Sequence, residues 1–243
     1  VPLPLDRTFT VSGTVRLDPD APAEQLDAFL RRTDASLVVT STGSLEGNLL
    51  AVPSAMLDGD PTTRFIGRFD DQVGQAWRVR SNTPFAVDGV ELDVVVGPRQ
   101  SVPTEFLVTV DDVEAGRFPT GLSASDTERV ETIMLPVNTE SATTVRIEVA
   151  ASTDTLTRDW YSNAFISMPF AIAEMRLGGL GVASAGRVDT GCVDGLVRID
   201  GLGVPVRISG DPEAARRGEA LKLIACDAVP VSAGDVRIDT TGS

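Results

Sequence analysis

Apolar residues fall at alternate positions through most of this sequence, the period of a half-buried β-strand. Phe9, Val11, Val15 and Leu17 share one face of the stretch from Arg7 to Leu17. Val90, Leu92, Val94 and Val96 repeat the pattern, as do Phe106, Val108 and Val110, and then Val145, Ile147 and Val149. Turn formers interrupt these runs at Asp88-Gly89, Gly97-Pro98, Asp111-Asp112 and Pro136 to Asn138. One stretch follows the helical period instead, Ala23 to Arg32, where Leu26, Phe29 and Leu30 form a stripe. Short strands with turn signals roughly every 8–12 residues predict an all-β protein built as a β-sandwich or jelly roll.

A boundary is expected near residues 178–190, where Gly178, Gly179, Gly181 and Gly186, with Ala183 to Ala185, make a small-residue hinge. Beyond it lie brief β segments: Leu196 to Ile199, Val204 to Ile208, Ala220 to Ala225 and Val236 to Ile238. The expected organisation is a sandwich over residues 1–180, including the N-terminal strand and the short helix, and a small β-domain over 187–243. Cys192 and Cys226 both fall in that second unit. They read either as two buried thiols or as a disulfide. A bridge, the reading we favour, would add about 3–4 kcal/mol to a unit too small to build a large core, and it requires an oxidising compartment.

Composition removes whole classes of chemistry. The 243 residues carry 35 acidic and 21 basic side chains, a formal charge of −14, and no histidine. The negative charge repels phosphates, which argues against a nucleic-acid or anionic-membrane surface. Without histidine there is no Ser-His-Asp or Cys-His catalysis, no imidazole base, and almost none of the usual catalytic zinc sites. Carboxylate chemistry, metals held by oxygen, or no chemistry remain. No apolar run approaches the roughly 20 residues that span a bilayer; the stretch Ile166 to Leu177 is broken by Pro169, Glu174 and Arg176. The start at Val1 and the end at Asp239-Thr240-Thr241-Gly242-Ser243 read as a processed or excised chain.

The most informative segment is Ala55-Met56-Leu57-Asp58-Gly59-Asp60-Pro61-Thr62-Thr63-Arg64-Phe65. Short oxygen-bearing side chains on a tight turn suit a hard cation such as Ca²⁺, which takes six to eight oxygen ligands at about 2.3–2.6 Å. The same residues also suit a plain turn. With Gln75-Ala76-Trp77-Arg78-Val79 downstream, this segment resembles the discoidin or factor V/VIII C-type fold and family-32 carbohydrate-binding modules. Ile172-Ala173-Glu174-Met175 is similar to their last strand. The resemblance implies a structural calcium ion held by Asp58, Asp60, Thr63 and Glu174, completed by carbonyls near Ala55 and Ala173. The family's tryptophan after the threonine is Phe65 here.

The resemblance extends further. Phe9-x-Val11-x-Gly13-x-Val15-x-Leu17 and Gln25-Leu26-Asp27 precede the discoidin segment. Cys192-x-Asp194-Gly195-Leu196-x-x-Ile199-Asp200-Gly201-x-x-Val204-Pro205-Val206-Arg207-Ile208-x-Gly210 follows it, then Gly218-Glu219-Ala220-Leu221-Lys222-Leu223-x-Ala225-Cys226 and Val231-x-Ala233-Gly234. This order resembles the soluble C-terminal part of actinobacterial α-(1→3)-arabinofuranosyltransferases of the AftD type, which act in cell-wall arabinan synthesis. It implies an extracytoplasmic, non-catalytic region that binds arabinan-type glycan or acts as a scaffold. Its partner would be the membrane-embedded catalytic portion, which this chain lacks, and no catalytic residue is assigned here.

Sugar binding needs an aromatic platform for the C–H face of the ring and polar groups for its hydroxyls. Trp77 lies in an alternating segment and reads as core. Trp160-Tyr161 lies in the polar stretch Ser152 to Asn163 and is the candidate platform, with Arg64 and Arg68 as candidate hydroxyl contacts. Two other readings compete. A glycoside hydrolase would need two facing carboxylates, and 35 acids make pairing uninformative. A metal-free adaptor docking on protein would pack the Trp160-Tyr161 loop rather than expose it.

Overall fold

A computed structural model of the chain describes residues 2–30, 37–180 and 186–240. It contains two compact units, one of residues 22–184 and one in which residues 1–21 join 185–243. Three short strands open the chain: β1 (Pro2–Leu3), β2 (Arg7–Phe9) and β3 (Ser12–Val15). Helix α1 (Ala23–Leu30) buries Leu26 and Leu30; Arg31 and Arg32, expected to extend it, lie outside the described residues, as do Gly181 and Ala183 to Ala185 of the expected hinge.

The larger unit continues with β4 (Leu37–Ser41), a 3₁₀ turn (Pro53–Leu57), β5 (Phe65–Ile66), β6 (Ala76–Val96), β7 (Val102–Val110), β8 (Val113–Pro119), β9 (Arg129–Thr153), β10 (Leu156–Arg158), β11 (Phe165–Ser167) and β12 (Ala171–Leu177). Strands β6 and β9 form one long antiparallel ribbon running from the pair Ala76–Glu148 to the pair Val96–Arg129. Its register shifts between Arg80 and Val90, where extra residues bend a ribbon. The first half of β6 is flanked by β4 and the second half by β12. The ribbon thus supplies strands to both layers of a β-sandwich.

The alternation read from the sequence selects the inner faces. Val90, Leu92, Val94, Val96, Phe106, Val108, Val145, Ile147 and Val149 all belong to one buried cluster shared by the two layers. Trp77 sits inside it, in edge-on or tilted contact with Phe65, Phe106 and Phe170, with ring centroids 5.7–6.0 Å apart. Each such side chain contributes about 1.5–3 kcal/mol by leaving water. The loop of residues 67–75 links the layers: Gly67 donates to the Phe170 carbonyl, Gly74 to that of Val149, and Val149 to that of Gln75.

The smaller unit contains β13 (Val188–Ile199), β14 (Leu202–Gly210), α2 (Pro212–Arg216), β15 (Leu221–Ala225), β16 (Val229–Val231), β17 (Gly234–Asp235) and β18 (Ile238–Thr240). A five-stranded sheet runs β18-β13-β14-β15-β3, while β2 pairs with β16 and β1 with β17. The N-terminal segment expected in the sandwich therefore belongs to this unit. The alternating stretch Arg7 to Leu17 is divided between two partners, β16 and β15, so it does not form one continuous strand. Cys192 and Cys226 are joined in a disulfide that ties β13 to the end of β15, the two neighbours of β14.

Candidate functional site

The loop after the 3₁₀ turn is built by its own short side chains. Ala55, Met56 and Leu57 are buried and anchor its start. The Asp58 carboxylate accepts the Asp60 amide at 2.9 Å, and Asp60 Oδ1 accepts both the amide and the hydroxyl of Thr62, at 2.9 and 2.6 Å. These Asx turns hold Asp58-Gly59-Asp60 in a tight arc, with Gly59 at a φ of 70°. Thr63 Oγ1 then lies within 3.3 Å of four oxygens: Asp58 Oδ1 and Oδ2, the Asp60 carbonyl and the Ala55 carbonyl. A hydroxyl carries one proton. Most of those oxygens therefore converge without a donor from Thr63.

Glu174 faces this cluster from β12. A register shift between Ile172 and Glu174 makes Ala173 an extra residue, the kind of bulge that re-aims a side chain. Glu174 accepts the Gly59 amide, yet its Oε1 is buried with no hydrogen-bond partner. Burial, and then the charge of Asp58, raise its carboxyl from 4.5 to about 7, against the opposing effect of Arg176. Convergent oxygens, two like charges and an unpartnered carboxylate oxygen fit a hard divalent cation. Of the residues the resemblance implied, Thr63 meets Asp58 and the Ala55 carbonyl, and Glu174 lies beside Asp58 and Gly59. The Asp60 side chain turns to Thr62, which leaves its carbonyl facing Thr63. Among the described residues no group of three or more Asp, Glu, His or Cys side chains gathers as a metal cluster. Any ion here would rest on two carboxylates and neutral oxygens.

A second feature lies on the 67–75 loop. Gln72 and Gln75 are buried and stitch it from inside. Gln72 donates to the Arg68 and Asp70 carbonyls and accepts the Phe170 amide, while Gln75 accepts the Arg68 amide and donates to the Arg68 and Asp71 carbonyls. The loop's outward residues Arg68, Phe69, Asp70 and Asp71, with Leu45 and Glu46, line a cavity of about 550 Å³. Phe69 is exposed there. Asp70 and Asp71 thus serve both the loop's backbone and the cavity wall.

Trp160 and Tyr161 stand at the tip of the β10–β11 hairpin, 89% and 93% exposed. The Asp159 carboxylate shapes the tip by accepting the Ser162 hydroxyl and amide, and those bonds lower its pKa. Arg158 stacks over Phe165 at 4.8 Å. Asp70 donates its amide to the Ser167 carbonyl, joining the hairpin's base to the 67–75 loop. The aromatic pair does not line the cavity. Arg64 pairs with Glu128 at 3.1 Å and also stands apart from it, whereas Arg68 is part of its wall. Phe69, Gln72 and Gln75 were missed as site residues. Gln72 carries no apolar period and only its burial reveals it, while Gln75 opens the Gln75-Ala76-Trp77 motif and its burial shows what it holds.

In fold, the chain matches part of an arabinofuranosyltransferase. A cryo-EM structure of the arabinofuranosyltransferase AftD from mycobacteria superposes with a TM-score of 0.70 at 20% identity, covering 99% of this chain. A structure of a mutant of that enzyme gives 0.70 at 18% identity. The chain spans 19% of the length of the AftD chain it matches. A family-32 carbohydrate-binding module from Clostridium perfringens aligns over 61% of this chain and 98% of its own, at 15% identity and a TM-score of 0.41. No protein-family model and no curated protein matches the sequence.

Proposed function

We propose that this chain is a non-catalytic, glycan-binding part of an extracytoplasmic cell-wall arabinofuranosyltransferase, with a calcium ion pinning the sandwich between Asp58 and Glu174. The observation that carries glycan binding is the cavity beside the rigid 67–75 loop. Phe69 offers an exposed ring to an apolar C–H face, and Arg68, Asp70, Asp71 and Glu46 offer donors and acceptors to hydroxyls. The buried glutamines hold these groups before ligand arrives, which lowers the ordering cost of binding. The exposed Trp160-Tyr161 tip is a second contact for a longer chain. Fold likeness to AftD over nearly the whole chain supports the assignment to such an enzyme, and the membrane-embedded remainder would be its partner. Calcium would act by replacing the Asp58–Glu174 repulsion with two attractive bonds. No step of chemistry is assigned to it.

The test is calorimetric titration of arabinan, galactan and mannan oligosaccharides into the chain and into Arg68→Ala, Phe69→Ala and Trp160→Ala. Arabinan binding weakened about tenfold by Arg68→Ala or Phe69→Ala, and less by Trp160→Ala, is the expected result. Binding to none of these glycans would leave a protein-docking adaptor as the reading.

A further inference from the structure

The proposed cation site has two carboxylates although a third lies beside it. Across β12 and β6, Glu174 stands opposite Asp93 and Arg176 stands opposite Glu91. Directly opposed residues of an antiparallel pair have Cβ atoms about 4.5–5.5 Å apart, so Asp93 is close to Glu174, and the charges of both Asp93 and Arg176 act on that carboxylate. Asp93 is nevertheless engaged on both oxygens. Its Oδ1 accepts the Thr132 hydroxyl at 2.6 Å and its Oδ2 accepts Arg176 Nη2 at 2.7 Å. The other arm of the guanidinium is held by Glu91 at 2.9 Å.

We infer that Arg176 is a positioning residue that limits the affinity of the cation site by keeping Asp93 out of its donor set. This rests on the calcium reading of Asp58 and Glu174. Ligand charge count and site rigidity set calcium affinity. With two carboxylates, neutral oxygens and an arginine alongside, the site belongs with extracellular modules that bind calcium at roughly 10⁻⁴ to 10⁻³ M. Such a site fills where calcium is abundant and empties elsewhere. The Arg176 charge adds to the effect, since a charge that acts on Glu174 also opposes a divalent ion held there.

The experiment is calorimetric titration of calcium, with magnesium as control, into the wild-type chain, Arg176→Met, and Arg176→Met combined with Asp93→Asn. The Arg176 side chain is 54% exposed and methionine keeps its aliphatic stem, so the variant is expected to fold; melting in EDTA checks this. Arg176→Met should bind calcium about tenfold more tightly, and the double variant should lose most of that gain. Unchanged or weaker binding in Arg176→Met overturns the inference, as does a gain that survives in full without Asp93. A wild-type chain that binds no calcium while Arg176→Met does would refute a resident ion and leave the role of Arg176 standing. Tight wild-type binding unaffected by Arg176→Met would do the reverse.

Discussion

Without calcium, ionised Glu174 destabilises the sandwich, and Glu174→Gln should melt at a higher temperature than the wild-type protein. Burial and the adjacent Asp58 charge raise the Glu174 carboxyl from 4.5 to about 7. Between those values the folded protein holds a proton that the unfolded chain has released. Stability therefore falls as pH rises through that window. Above it the cost is present in full, and below it both states are protonated and the cost disappears. Taken whole, the shift corresponds to about 3 kcal/mol; screening through the solvent-facing side of Glu174 reduces this to about 1–2 kcal/mol. Glutamine keeps an acceptor for the Gly59 amide and removes the charge. One kcal/mol moves the melting temperature of a unit this size by about 2–4 °C. Glu174→Gln should thus melt about 3–6 °C higher at pH 8 in EDTA and match the wild type at pH 4. Fluorescence of the buried Trp77 reports unfolding of the same unit. Calcium at a hundredfold excess over its dissociation constant, about 10–100 mM for a site of this class, should invert the order at pH 8. An ion that binds only the folded state adds about 2.7 kcal/mol at that excess, and the variant lacks one of the two proposed carboxylate ligands. A variant that melts below the wild type in EDTA at pH 8, or a difference that does not shrink at pH 4, would refute the reasoning.

Two further outcomes follow from the backbone and the disulfide. Gly178 has a φ of 54°, and a Cβ there would stand 2.2 Å from the Ala86 carbonyl oxygen; Gly178→Ala should lose about 3 kcal/mol or more, read as a lower denaturant midpoint, and an unchanged midpoint would contradict that packing. Cys192→Ser with Cys226→Ser removes a bridge across 34 residues of sequence, which on the chain-entropy account lowers the stability of the smaller unit by about 3–4 kcal/mol; dithiothreitol should reproduce the loss in the wild type and change nothing in the variant.

The strands and the core were legible because period-two alternation acts locally. Whatever partner a strand finds, Leu92, Val94 and Val96 share a face, and burying that face is favourable against any apolar layer. Some turn residues are local in the same sense: Asp111-Asp112, both at positive φ, closes the β7–β8 hairpin where the sequence places a turn. Asp88-Gly89 and Pro136 to Asn138, also read as turns, instead lie inside β6 and β9, where the ribbon's register shifts. The Asp58-Gly59-Asp60 arc is local too, since each Asx bond reaches two residues along the chain. Resemblance, rather than pattern, brought Glu174 to that arc.

Tertiary structure alone decided which strands pair and which polar groups meet. Alternation cannot say that Arg7 to Leu17 divides between β16 and β15, because a side chain's period gives the face it points to and not the strand its backbone pairs with. Nor does it show that Ala173 is extruded as a bulge, that Asp93 is occupied by Thr132 and Arg176, or that Gln72 and Gln75 turn inward. A side chain's period encodes its need to leave water. Polar partners are set by which distant segments the fold brings within hydrogen-bonding reach, and those contacts decide whether the Asp58–Glu174 pair and the 67–75 loop form a site.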